Sequence, residues 1–132
     1  MEPSTPAVSA APAPDTKVKG DAAVWVPAPG SAIDSSSTTF RALVSRLGCN
    51  NGITGTVQTP EIVSTESEVV VTFTVAAKGP GAANCLGNQQ VAYEVDLGEP
   101  LLERPIIDGQ CLPGGEAVTT SFCVPDSTRY EP

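Results

Sequence analysis

The chain has 132 residues and a formal net charge of −8, and its 40% hydrophobic content fits one folded domain. Its seven Lys and Arg residues form no run, so the chain lacks the basic face that nucleic-acid binding requires. Histidine is absent, which excludes a Ser-His-Asp triad and a Cys/His metal site. No apolar stretch approaches the roughly 18 residues of a membrane-spanning helix.

The N-terminal part differs in composition from the rest of the chain. Residues 1–21 are rich in Pro, Ala, Ser and Thr and contain few large apolar side chains. Such a segment cannot bury enough surface to offset the entropy of ordering, so we predict a disordered linker. The folded domain is then residues 22–132. In exported bacterial proteins, tails of this kind often follow a lipidated cysteine, and such an anchor is the one membrane contact we expect.

Residues 23–26 predict a first short strand, which Pro27 ends. This strand contains Trp25, the single Trp of the chain. A lone Trp can serve as a ligand platform, but packing against a core is the more common role. We interpret Trp25 as a packing residue.

Residues 38–47 have two interpretations. The spacing of Phe40, Leu43, Val44 and Leu47 is helical, with Ser and Thr before and Gly after. Against a helix, Asn51-Gly52 is a strong hairpin turn signal followed by a β-rich segment over 53–58. A strand that enters this turn uses both pieces, so we favour the strand.

Two segments predict strands by clean alternation. Residues 68–77 form the longest β-branched and aromatic run, with one apolar face; we take this run as the central strand. Residues 91–97 alternate in the same way, with Glu94 and Asp96 directed to solvent. Shorter strands are predicted at 61–64, 105–107 and 117–124. The pattern predicts an all-β fold, a small antiparallel β-sandwich that is Ig-like or barrel-like.

The chain has four cysteines, at Cys49, Cys85, Cys111 and Cys123, and none of them form a CxxC pair. This spacing indicates two structural disulfides. If strand 91–97 folds back on 105–110, Cys85 approaches Cys111. We therefore favour Cys85–Cys111 with Cys49–Cys123, while Cys49–Cys85 with Cys111–Cys123 stays open. Disulfides indicate an oxidising, extracellular or cell-envelope location. Met1 is not followed by a signal segment, so we expect that one has been removed.

An acidic stretch around a predicted loop is the main candidate ligand site. Its five carboxylates are Glu94, Asp96, Glu99, Glu103 and Asp108. Such oxygens suit Ca²⁺, although the spacing matches no EF-hand. The competing interpretation is a structured loop in which Arg104 pairs with a neighbouring carboxylate and Asp108-Gly109 supplies a turn. We expect no resident cofactor and keep Ca²⁺ as the alternative.

Several short motifs carry a family resemblance: Cys49-Asn50-Asn51-Gly52-Ile53-Thr54-Gly55, Val69-Val70-Val71-Thr72-Phe73, Asn84-Cys85-Leu86-Gly87-Asn88, and Gly98-Glu99-Pro100-Leu101 followed by Arg104 and Asp108-Gly109. Over about residues 40–112, the chain resembles small secreted domains and lipoproteins of high-GC Gram-positive bacteria that have no known function. The resemblance implies export and attachment to the envelope, and it implies no activity or site residues. The lipidated cysteine of that pattern is missing here.

These observations favour an exported, non-catalytic binding or structural domain that meets an unknown protein or glycan at the bacterial cell surface. A Ca²⁺-dependent or glycan-binding module that uses the acidic 94–108 loop is the alternative. A carboxylate-based hydrolase is the third hypothesis, since paired carboxylates can cleave glycosides.

Overall fold

A computed structural model describes residues 20–79, 83–85, 87–124 and 127–132. Seven β-strands lie in this part of the chain. They are β1 (Gly20–Pro27), β2 (Thr39–Arg46), β3 (Glu61–Ser64), β4 (Val69–Ala76), β5 (Val91–Asp96), β6 (Ile106–Asp108) and β7 (Thr128–Tyr130). Short 3₁₀ turns occupy Gly109–Cys111 and Ser121–Cys123. Residues 1–19 of the predicted linker lie outside the described residues, and Gly20 and Asp21 belong to β1.

The strands form a curled, mixed sheet in the order β5-β2-β1-β4-β6-β7, with β3 also paired to β4. The β4–β6 pair is parallel and the other strand pairs are antiparallel. The mostly β fold with two disulfides agrees with the sequence prediction. The purely antiparallel arrangement does not, since the chain crosses over before β6, and a two-sheet sandwich is not confirmed.

Strand β4 is the centre of the fold, as its alternation predicts. Val69, Val71, Phe73 and Val75 are at most 1% exposed, while the residues between them are half-buried. Trp25 and Phe40 pack beside Phe73, with ring centroids of Trp25 and Phe73 6.3 Å apart. Trp25 is 1% exposed, which confirms its packing role. Burial of these side chains at about 25 cal/mol per Å² is the main stabilising contribution.

One edge of β4 accepts two different partners along its length. Residues Phe73 to Ala76 pair with β1, and Val69 to Val71 pair with β6. Strands β1 and β6 therefore diverge next to the middle of β4. This divergence leaves backbone groups of β4 without a neighbouring strand, and side chains must satisfy them.

The segment 38–47 contains a strand, β2, over Thr39–Arg46, as favoured. Its residues alternate between exposed or half-buried and buried positions, and β2 has β1 on one edge and β5 on the other. Asn51 and Gly52 form the expected turn with positive φ values of 58° and 85°. The hairpin is nevertheless absent, because both edges of β2 are already occupied. Of the predicted strand 53–58, the structure retains an isolated bridge from Val57 to Val75.

The predicted strand over 117–124 is wrong. The hydroxyl oxygen of Thr120 accepts a hydrogen bond from the N–H of Phe122 and caps the 3₁₀ turn Ser121–Cys123. A Thr side chain that caps a turn competes with extended backbone for the same N–H groups. The β-branched composition of this segment therefore gives way to local capping.

Candidate functional site

A cleft between two loops is the best candidate for a binding surface. It has a volume of about 650 Å³ and a mixed polar and apolar lining. Its lining residues are Ser64, Thr65, Glu66, Glu99, Pro100, Leu102 and Arg104. We refer to it as the loop cleft. Concave surfaces that combine apolar contacts with a few fixed polar groups are typical ligand sites.

Arg104 fixes both walls of the loop cleft. Its side chain is 9% exposed and donates to the carbonyl oxygens of Leu101 (2.7 Å), Pro100 (2.8 Å) and Thr65 (3.1 Å). Its Nη1 also lies 3.0 Å from Oε2 of Glu99. Because these partners occupy all three nitrogens, Arg104 holds the loops together rather than offering a free charge to a ligand. The predicted pairing of Arg104 with a neighbouring carboxylate is confirmed.

Leu102 projects from the wall of the cleft in an unusual backbone conformation. Its φ is +62° and its side chain is 58% exposed. The N–H groups of Leu101 and Leu102 donate to the carbonyl oxygens of Ser37 (2.9 Å) and Ser35 (2.8 Å), which fix the loop from below. Leu101 is thereby buried and Leu102 is turned outward. A γ-branched residue in this region is strained, and such strain is frequent at binding sites.

The five carboxylates of the predicted acidic site do not come together. Glu94 lies 3.9 Å from Arg41, Asp96 accepts from the N–H of Gly98 at 2.9 Å, and Glu103 is exposed. Glu99 pairs with Arg104, and Asp108 is fully buried. In the described part of the chain, no group of three or more acidic, Cys or His side chains is placed to hold a metal. The five carboxylates therefore lie in separate environments and do not form one acidic site.

Asp108 belongs to a buried junction between β1 and β6. Its Oδ2 accepts from the N–H of Trp25 (3.2 Å) and from Nη2 of Arg129 (3.4 Å), and its Oδ1 accepts from the N–H of Gln110 (2.9 Å). Burial raises the pKa of this carboxyl above its usual value, although these donors partly oppose the shift. Asp108 serves the fold and is not accessible to a ligand.

Two further side chains complete the junction by donating hydrogen bonds to buried carbonyls of β4. The indole Nε1 of Trp25 donates to Val71 O at 3.0 Å, and Nε2 of Gln110 donates to Phe73 O at 3.1 Å. These are the carbonyls beside the point where β1 and β6 diverge. Side chains therefore satisfy these carbonyl groups where β1 and β6 diverge, as buried backbone groups require.

The disulfides are Cys49–Cys85 and Cys111–Cys123, so the favoured pairing was wrong and the alternative is confirmed. Strand β5 pairs with β2 rather than folding back on residues 105–110. The loop before β5 consequently reaches the turn after β2, where Asn51 N–H donates to Asn84 O at 3.0 Å. That contact places Cys85 beside Cys49.

Sequence reasoning missed Leu102 and the partners of Asp108. Two adjacent leucines in a short loop weakly predict that one of them is exposed, because the side chains of Leu101 and Leu102 can seldom both be buried in a turn. Arg129 lies 21 residues from Asp108, and no periodicity connects them.

Comparison with known proteins found no match to a protein-family model, a curated protein or a solved structure. The described residues contain no helix long and apolar enough to cross a membrane.

Proposed function

We propose that this chain is an exported, non-catalytic binding domain of the bacterial cell envelope, and that the loop cleft is its binding surface. The two disulfides and the acidic composition support the extracellular location. The resemblance to small secreted and lipoprotein-type domains supports the envelope assignment. The partner is a protein or glycan of the cell surface.

The observation that carries this proposal is the conformation of Leu102. A positive φ at a residue with a large side chain costs of order 1–3 kcal/mol, and Leu102, which is 58% exposed, recovers only part of this cost by burial. Arg104 and the serine carbonyls nevertheless fix the strained loop in place. A ligand that covers Leu102 supplies the missing burial.

Binding to cell walls isolated from a high-GC Gram-positive bacterium tests the proposal. We expect the protein to cosediment with the walls and the variant Leu102→Asp to lose most of this binding. Ile53→Asp is the matched control, because Ile53 is 52% exposed and lies outside the cleft. Equal binding by both variants, or no cosedimentation by the wild type, would contradict the assignment of the cleft.

Glycan binding is the second candidate, since carboxylates and hydroxyls of Ser64, Thr65, Glu66 and Glu99 line the same cleft. The carboxylates accept hydrogen bonds from sugar hydroxyls, and the Ser and Thr hydroxyls can both donate and accept. Titration with soluble wall glycan fragments separates the glycan from a protein partner. Added Ca²⁺ or EDTA tests the calcium-dependent version. We expect an unchanged melting temperature, because in the described residues no group of three or more acidic, Cys or His side chains is placed to hold a metal. Release of reducing ends from the fragments would overturn the non-catalytic assignment.

The extracellular assignment has a separate test. Intact mass of the folded protein before and after thiol alkylation should be identical, because the structure pairs all four cysteines. A non-reducing peptide map should then show the 49–85 and 111–123 pairs. Alkylated thiols in protein recovered from the cell surface would contradict export chemistry.

A further inference from the structure

The borders of the sheet differ in how open they are to another strand. In the described residues, β3 has four residues, and β7 has three and an irregular register opposite Ile106 and Ile107. Strand β5 has six residues that pair with β2 in six consecutive registers. Short strands and bulges are the usual means of blocking an edge. Strand β5 has neither, and it also lacks Pro and Lys.

Among the described residues, no strand pairs with the outer edge of β5, and the hydrogen-bond pattern identifies the backbone groups on this edge. Leu97 N–H donates to Thr38 O at 2.8 Å, one step beyond the pair of Thr39 and Asp96. In an antiparallel ladder, the residues that exchange hydrogen bonds alternate. Residues 91, 93 and 95 therefore bond to β2. The N–H and C=O groups of Ala92, Glu94 and Asp96 point outward, away from β2.

The side chains along this edge are acidic. Ala92, Glu94 and Asp96 are exposed, and each carboxylate has a weak or local partner: Arg41 at 3.9 Å from Glu94, and the N–H of Gly98 for Asp96. Both carboxylates retain free oxygen lone pairs. If two copies of the chain paired through β5 in a central register, these carboxylates would face each other, which is unfavourable.

We propose that the β5 edge binds an extended segment of another protein in which basic residues alternate with apolar ones. The segment adds a strand by bonding to the outward groups of Ala92, Glu94 and Asp96. Basic side chains of the segment lie beside Glu94 and Asp96. Its apolar side chains fall on the opposite face, next to the half-buried Tyr93. This surface shares no residue with the loop cleft and does not depend on it.

The probe is a short peptide of alternating lysine and valine, acetylated and amidated at its ends. We expect measurable binding by isothermal titration at low salt, which weakens as salt is added. The same peptide with glutamate in place of lysine should not bind. Equal binding of both peptides, or of neither, would overturn the proposal.

Ala92→Pro tests the strand pairing itself. The N–H of Ala92 points outward, so proline removes an edge donor without breaking the ladder to β2, and proline is tolerated at such positions. We expect the peptide to lose binding while the melting temperature stays close to that of the wild type. Undiminished binding to a folded Ala92→Pro variant would exclude strand addition.

The double variant Glu94→Lys/Asp96→Lys tests the charges and stays informative if proline disturbs folding. We expect affinity for the lysine peptide to fall about fivefold or more. Glu61→Lys/Glu131→Lys is the matched control, because both residues are exposed, both lie outside β5 and the loop cleft, and the change in net charge is the same. Equal weakening by both pairs would show a nonspecific charge effect and contradict the assignment to β5.

Two further results separate this surface from the alternatives. Leu102→Asp should leave peptide binding unchanged, so failure of the loop cleft as a binding site and failure of the β5 edge are distinguishable. Sedimentation velocity should show a monomer at the concentrations used. Self-association that Ala92→Pro abolishes would mean that the edge serves a second copy instead.

Discussion

The β1–β6 junction and the loop cleft each contain an arginine–carboxylate pair, yet the two pairs have opposite surroundings. Both arginines are 9% exposed. At the junction, the carboxylate of Asp108 is 0% exposed, whereas Glu99 at the cleft is 50% exposed. The two pairs therefore differ in the accessibility of the carboxylate and not in that of the arginine.

The two carboxylates differ in their importance for the fold because their removal leaves different numbers of hydrogen-bond donors without an acceptor. Asp108 accepts from two backbone N–H groups and from Arg129, all at buried or half-buried positions. Glu99 pairs with Arg104, which retains three carbonyl acceptors when the carboxylate is removed. A buried unpaired group costs far more than a solvated one.

Asp108→Ala should have the largest effect. It leaves the N–H groups of Trp25 and Gln110 without their acceptor and removes the carboxylate that faces Arg129, whose guanidinium keeps the carbonyl oxygens of Trp25 and Phe122. We expect a loss of about 3–5 kcal/mol in the free energy of unfolding. Urea denaturation followed by Trp25 fluorescence measures it. Asp96→Ala, at an exposed carboxylate with one local hydrogen bond, is the control and should cost less than about 1 kcal/mol. Comparable losses in the two variants would refute the comparison.

Arg104→Met should cost about 2–3 kcal/mol. Methionine keeps much of the packing of the arginine stem but removes the donors to Leu101, Pro100 and Thr65. Water reaches part of this loop, so the loss should remain below that of Asp108→Ala. Glu99→Ala should cost less than about 1 kcal/mol. If Glu99→Ala proves as costly as Arg104→Met, the carboxylate rather than the carbonyls holds the cleft.

The pH dependence of stability should differ between Asp108 and Asp21. The N–H of Lys78 and the guanidinium of Arg46 lower the pKa of Asp21, whereas burial raises that of Asp108, both from an ordinary value of 3.8. Native Asp108 keeps its proton where the unfolded chain has lost it, so its contribution falls as pH rises from that value. The contribution of Asp21 is present above that value and is lost as pH falls through its lowered pKa.

Asn variants at the two positions measure these opposite slopes. Relative to the wild type, Asp108→Asn should be more destabilising at about pH 2 than at about pH 7, and Asp21→Asn should show the reverse, because the lower pH lies below the ordinary value of 3.8 for both carboxyls. Urea midpoints at both pH values give the comparison. Parallel changes in the two variants would mean that the pKa of Asp108 is not raised in the native state.

Alternation predicted the strands whose faces differ in burial, and it failed where pairing or capping decided the structure. Strands β4 and β5 were predictable because each carries its own apolar face. The segment 53–58 is equally β-prone, but both edges of β2 were taken, and edge occupancy is not a property of local sequence. Residues 117–124 became turns because Thr120 satisfies a local N–H group.

The sequence predicted the loop that contains the candidate site but not which of its residues are buried and which are accessible. The acidic stretch correctly indicated a structured loop with Arg104 at its centre. Sequence spacing gave no means of separating Asp108 from the other carboxylates, since its burial depends on Trp25 and Arg129 from distant strands. The disulfide pairing likewise depends on a long-range contact, the pairing of β5 with β2, which local sequence does not determine.

Leu102→Gly should have the smallest effect on stability, and it should stabilise the fold whereas the other substitutions destabilise it. Glycine adopts a φ of +62° without strain, while it makes the unfolded chain more flexible, so we expect a net gain of up to about 1 kcal/mol. Thermal unfolding measures it, with Leu112→Gly as a control at a leucine that has a negative φ of −90°, where glycine should destabilise. Because the same substitution removes the exposed side chain, Leu102→Gly should be more stable and bind cell walls less well. A variant that is less stable than the wild type would show that Leu102 packs within the fold, and the contrast between cleft and junction would then lose its central residue.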